Sequence, residues 1–242
     1  EPRPDPNIVR VVEAAVDHYT IGEYEEAARI LREERERSIP CYPHVVYYEA
    51  LSYAQMGELS EAESLLEWAE TYTPPQRQYA DCKESPLIAA GRAQITYQQR
   101  PTSQTALALS EQALDEDPDL IPAVLTKARV LLAQGLIPEA WQAVNRVLQD
   151  HPHDTNLLLL LAEIELADEQ PGAALEYIGQ ALYIDPDLLP GLYLQAEAYL
   201  MLAEQARPPL EAERRRQAFG LAVRSAQLIL SLIHISEPTR PY

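Results

Sequence analysis

The sequence predicts an all-α protein built from about six tandem helix-turn-helix units, and three observations carry that prediction. Pro118, Pro152 and Pro186 recur every 34 residues, each directly after an Asp or a His. Small residues keep the same interval in two further registers, Ala106, Ala140 and Ala174 in one, Ala128, Ala162 and Ala196 in the other. Between these marks the apolar residues fall at helical spacing: Ala123, Leu125, Ala128, Leu131 and Leu132 before Gly135, then Ala140, Val144, Val147 and Leu148 after it. Helices of ~12 to 14 residues are marginal alone in water, so such units hold by stacking on one another, as in an α-solenoid.

Taken in order, residues 1–7 set Pro2, Pro4 and Pro6 among polar residues, which predicts an extended linker. The first unit, about 8–40, breaks at Gly22; the second, 43–74, breaks at Gly57 and closes at Pro74, with Ala27 and Ala62 holding a 35-residue step. An insert, 75–86, then interrupts the series. The third unit, 87–118, breaks at Pro101; the fourth, 121–152, at Gly135; the fifth, 155–186, at Pro171. Glycine and proline at these breaks end a helix or permit a tight reversal. The sixth, 189–229, opens on Leu192, Ala196 and Tyr199, and Pro208 with Pro209 delays its second helix to about 218–229. The string from Leu230 to Arg240 resembles the translation of a sequencing-library adapter, so 230–242 is expected to be a non-native tail.

Composition narrows the function. The formal charge is -19, with 38 Asp and Glu against 19 Lys and Arg, which opposes binding to nucleic acid or anionic lipid. The run Arg214, Arg215 and Arg216 follows Glu211 and Glu213 and reads as a solvated helix face. No stretch approaches the ~18 apolar residues of a spanning helix, so membrane insertion by this segment is not expected. His151, His153 and Asp154 have a metal-site composition but fall at a unit junction, and Cys41 with His44 finds no second pair. No phosphate loop or nucleophile elbow is present in the sequence. The reading is a non-enzyme without metal or cofactor, whose partner is a protein or peptide.

Taken together these residues resemble the tetratricopeptide repeat family over about 8–229. The second unit matches with Ala50, Tyr53, Gly57, Ala62, Ala69 and Pro74, the third with Tyr97, Ala106, Ala113 and Pro118, the fifth with Ala162, Ala174, Ala181 and Pro186. The family's favoured Trp-Leu-Gly trio is replaced, in unit two by Val46, Glu49 and Ala50. The resemblance implies a right-handed superhelix whose first helices line a concave groove. It sets Tyr47, Tyr48, Leu51, Arg92, Arg129, Glu163, Tyr193 and Glu197 on that face, with Ile95, Leu125 and Leu159 beside them. The family's clamp for a C-terminal carboxylate needs Lys, Asn and Arg where Tyr, Leu and Glu largely stand here, so a chaperone tail is not the implied guest. A peptide or protein segment anchored by tyrosine and arginine is, the alternative being that these tyrosines pack between adjacent helices. The alternative is that these repeats are the regulatory segment of a larger enzyme, sensor or secretion component.

Cys41 and Cys82 each lie just before the first helix of a unit. They pair if the insert folds back to bring their Cα atoms within ~7 Å, or else stand as two free thiols. The proline-rich entry suits a linker to a domain outside the cytoplasm.

Overall fold

The computed structural model describes residues 6–37, 41–72, 82, 83, 85–205 and 212–236, the last stretch with side chains from 216 to 229. Among them run twelve α-helices and no strand: α1 (Pro6–Thr20), α2 (Tyr24–Arg37), α3 (Pro43–Gln55), α4 (Leu59–Thr71), α5 (Pro86–Gln99), α6 (Gln104–Glu116), α7 (Ile121–Ala133), α8 (Ile137–Leu148), α9 (Thr155–Ala167), α10 (Pro171–Ile184), α11 (Leu189–Gln205) and α12 (Ala212–Ser236). They fall into two compact units, 1–134 with α1 to α7 and 135–242 with α8 to α12. Within each unit a helix packs on its successor, and each hairpin's first helix also packs on the next first helix: α1 on α3, α3 on α5, α5 on α7, and α9 on α11. That pattern is an all-α helical repeat.

The chain's punctuation explains the hairpins. Gly22, Gly57 and Gly135 have φ of 85°, 85° and 78°, the left-handed conformation that closes a helix at low cost only for glycine. After the first two, Glu23 N donates to His18 O and Glu58 N to Tyr53 O, both at 2.9 Å. The fifth repeat makes the same turn without glycine: Glu169 has φ 59° and Gln170 N donates to Glu165 O at 2.8 Å. Prolines open α3, α5, α7, α8 and α10 in the first helical turn, where an amide has no partner to lose. Asp117 and Asp185 end α6 and α10, and their carboxylates accept from Asp119 N and Asp187 N. Asp154 instead caps α9, accepting from Asn156 N at 2.9 Å and Leu157 N at 3.0 Å, so its place beside two histidines is that of a helix cap.

The alanines fill the helix contacts. Ala106, Ala113, Ala128, Ala140, Ala162, Ala174 and Ala181 are fully buried. Gly191 serves the same end in the second unit, since a Cβ there would sit 3.0 Å from Leu182 Cδ2. Five consecutive leucines of α9, Leu157 to Leu161, are all buried. Flanked by α8, α10 and α11, this helix is the second unit's core, and each leucine contributes about 2 kcal/mol of burial.

Two boundaries differ from expectation. Helix α1 begins at Pro6, inside the expected linker, because proline suits a first helical position. Helix α12 has 25 residues and passes through 230 to Ser236, because Ala, Glu, Arg and Leu follow Pro209 with no further proline before Pro238. Residues 1–5 of the linker, Pro74 and most of the insert, Pro208, Pro209 and 237–242 lie outside the described residues.

Candidate interaction face

In the first unit the first-helix face is filled by its own side chains. Tyr47 and Leu51, expected on the open face, are each 4% exposed and belong to the core. The ring of Tyr47 lies over Gly91, where an added Cβ would meet its Cδ2 at 3.1 Å, and its hydroxyl donates to Gln94 Oε1 at 3.2 Å. Tyr48 meets Tyr47 edge-on at 5.1 Å between ring centres, and Tyr19 of α1 meets Tyr48 at 6.2 Å. Burial raises the pKa of all three phenols, Tyr47 most, and so keeps them neutral, while the Arg129 guanidinium pulls Tyr19 and Tyr47 slightly the other way. Arg129 itself is half-buried. Arg92 turns back to α4, where its Nη1 donates to Glu70 Oε2 at 2.5 Å. Ile95 is 1% exposed, and Leu125 half-buried.

The second unit presents this face differently. Leu159 and Leu166 of α9 are buried and form a floor, and Glu163 between them is half-buried. On α11, Tyr193 is 55% and Leu200 44% exposed, and Glu197 and Glu204 are exposed as well. These four stand at i, i+4, i+7 and i+11, one face of a helix. The rest of α11 is occupied: Leu192, Ala198 and Ala203 are buried, and Gln195 Oε1 accepts from Ser225 Oγ of α12 at 2.7 Å. Repeat arithmetic could have found Leu200, which lies 34 residues after Leu166. Gln94 and Tyr19 carry no sequence signal, because their roles depend on where the Tyr47 and Tyr48 rings turn.

A second polar cluster escaped the sequence reading. Glu49, fully buried, accepts from Arg35 Nε at 2.7 Å and Nη2 at 3.1 Å, with Arg32 Nε at 4.0 Å. Arg35 stacks on Trp68 and Arg32 on Tyr53, at 5.5 and 5.4 Å from the ring centres. A cleft of about 320 Å³ opens beside them, lined also by Ser60 and Ser64. Its lining carries one cation, Arg35, against two carboxylates, Glu49 and Glu61.

Cys41 and Cys82 are joined in a disulfide with Cα atoms 6.0 Å apart, 2% and 0% exposed, within the core cluster that holds Val46, Leu66 and Ile88. Among the described residues no group of three His, Cys, Asp or Glu side chains is placed to hold a metal ion, and no helix is long and apolar enough to cross a membrane.

Comparison with known proteins shows what the repeats are similar to. Residues 103–164 match the tetratricopeptide repeat model. No curated protein is matched by sequence. A thermophilic tetratricopeptide-repeat protein of Thermus thermophilus superposes with TM-score 0.64 at 17% identity, over 80% of this chain and 97% of its own. MamA of Desulfovibrio magneticus RS-1 does so with TM-score 0.53 at 17% identity, over 81% of this chain and 97% of its own. The human IFIT1 dimer with PPP-AAAA gives TM-score 0.64 at 17% identity over 90% of this chain, which spans only 51% of IFIT1. Residues 103–164 therefore match the tetratricopeptide repeat by sequence, and the chain as a whole shares the fold of tetratricopeptide-repeat proteins.

Proposed function

We propose that the protein is a non-catalytic adaptor that captures a segment of another protein on the first-helix face of its repeats. One observation carries this reading: the Tyr193 ring stands 55% exposed on α11 beside Leu200 at 44%, while the other sides of that helix are packed. An exposed aromatic with an aliphatic neighbour one to two turns away is the composition of an interface anchor. The net charge of -19 argues for a protein guest over a nucleic acid, whatever IFIT1 holds on the same fold. The buried Glu49 carboxylate is held by Arg35 through two hydrogen bonds.

The test is selection of peptides from a random library on the immobilised protein, followed by fluorescence anisotropy of the enriched sequences. Changing Tyr193→Ala with Leu200→Ala is expected to weaken them at least tenfold. Enriched peptides that bind this double variant as tightly as the original protein overturn the proposal.

A further inference from the structure

We infer that the segment taken up by α11 is cationic, carrying two arginine or lysine side chains about 10 Å apart on either side of an apolar residue. The inference rests on the adaptor reading and names its guest. Over the second unit, residues 135–242, the sequence holds fifteen Asp and Glu against seven arginines, a net charge of -8, and within 135–205 Arg146 is the one cation among twelve carboxylates. That stretch therefore presents a negative field to whatever approaches α8 to α11, and the field selects the sign of the partner.

The α11 stripe turns the field into a pattern. Tyr193, Glu197, Leu200 and Glu204 alternate ring, carboxylate, aliphatic and carboxylate along one exposed line. With ~1.5 Å of rise per residue, Glu197 and Glu204 stand about 10 Å apart with Leu200 between them. A guest with cations at that separation and an apolar side chain midway matches all three positions. Either two turns of helix or four extended residues reach that distance. Arginine suits the first site best, because its planar guanidinium can take Glu197 in a bidentate pair while lying on the Tyr193 ring. Within the first unit the positions corresponding to Glu197 are Leu51 and Ile95, buried and apolar, and Arg129, itself a cation, so none of them offers a cation a partner.

The experiment uses the full chain and two fluorescein-labelled twelve-residue peptides. One carries two arginines seven positions apart with a leucine midway; the other carries glutamate in place of both arginines. The arginine peptide is expected to bind, the glutamate peptide at least a hundredfold more weakly. Glu197→Gln with Glu204→Gln should weaken the arginine peptide about tenfold or more. Glu139→Gln with Glu176→Gln, an equal charge change at exposed carboxylates of α8 and α10, should leave it within twofold. Equal losses in both variants would reduce the effect to general charge and overturn the inference. Peptides that bind through Tyr193 and Leu200 but prefer the glutamate version also overturn it, while leaving the adaptor reading standing. Binding indifferent to Tyr193→Ala sinks both.

Discussion

Reducing the Cys41–Cys82 bridge should destabilise the first unit by about 4 kcal/mol. The two residues are 41 apart in sequence, and closing a loop of that size in the unfolded chain removes entropy equivalent to that figure. The native state loses little on reduction, because both sulfurs sit in an apolar cluster that would hold two thiols at similar volume. The effect should be local. Trp68 packs against the same cluster in the first unit, whereas Trp141 lies in the second, so a Trp141→Phe background makes fluorescence report the first unit alone. At a urea slope of about 2 kcal/mol per molar, reduction should lower the Trp68 midpoint by about 2 M, and Cys82→Ala should reproduce the shift without reductant. Thiol titration in denaturant gives the direct count, zero before reduction and two after. Two reactive thiols before reduction, or a midpoint that ignores both reductant and Cys82→Ala, would refute the reasoning.

Other perturbations test other joints. Arg35→Ala leaves the Glu49 carboxylate buried with only Arg32 at 4.0 Å, and should cost about 3 kcal/mol by urea denaturation; Arg35→Met with Glu49→Leu should recover most of that loss. Glu169→Gly should raise stability by about 1 kcal/mol, because the position holds φ 59° where equivalent turns use glycine. Ala174→Leu should cost about 1 to 3 kcal/mol, read from the thermal midpoint of the second unit, since Ala174 is wholly buried against helices that cannot separate. Stability of the first unit should fall as pH rises above about 10, because the unfolded chain ionises its tyrosines there while burial holds the Tyr47, Tyr19 and Tyr48 phenols neutral in the fold. Tyr47→Phe should flatten part of that alkaline loss.

The hairpins were legible because their determinants are local and recur. Ala106, Ala140 and Ala174 mark one contact three times, and Gly22, Gly57 and Gly135 mark one backbone conformation three times. Glu169 was not legible as a turn residue, because the hydrogen bonds around it impose a conformation its side chain does not favour. The extent of α12 was missed for the opposite reason: helix propensity continued past the point where an adapter-like string suggested a stop. The buried Arg35 and Glu49 pair joins residues 14 apart on different helices, and no periodicity announces it.

The face itself shows why repeat register identifies positions but not their exposure. Tyr47, Gly91, Leu125, Leu159 and Tyr193 occupy one register, yet their surroundings differ with each neighbour. Tyr47 lies down because the next first helix offers Gly91, whose missing side chain leaves room for a ring; a Cβ at that site would come within 3.1 Å of it. Leu159 is covered in turn by α11, where Gly191 brings the backbone close enough for Leu159 Cδ2 to stand 3.5 Å from a Cβ built there. α11 is the last first helix among the described residues, and on it Tyr193 is 55% exposed. One residue type in one register is thus core in the first unit and surface in the second. Exchanging the neighbour should exchange the state: Gly91→Leu is expected to expel the Tyr47 ring, seen as a new tyrosine ionising near pH 10, and an unchanged alkaline titration would show that something other than Gly91 holds the ring in.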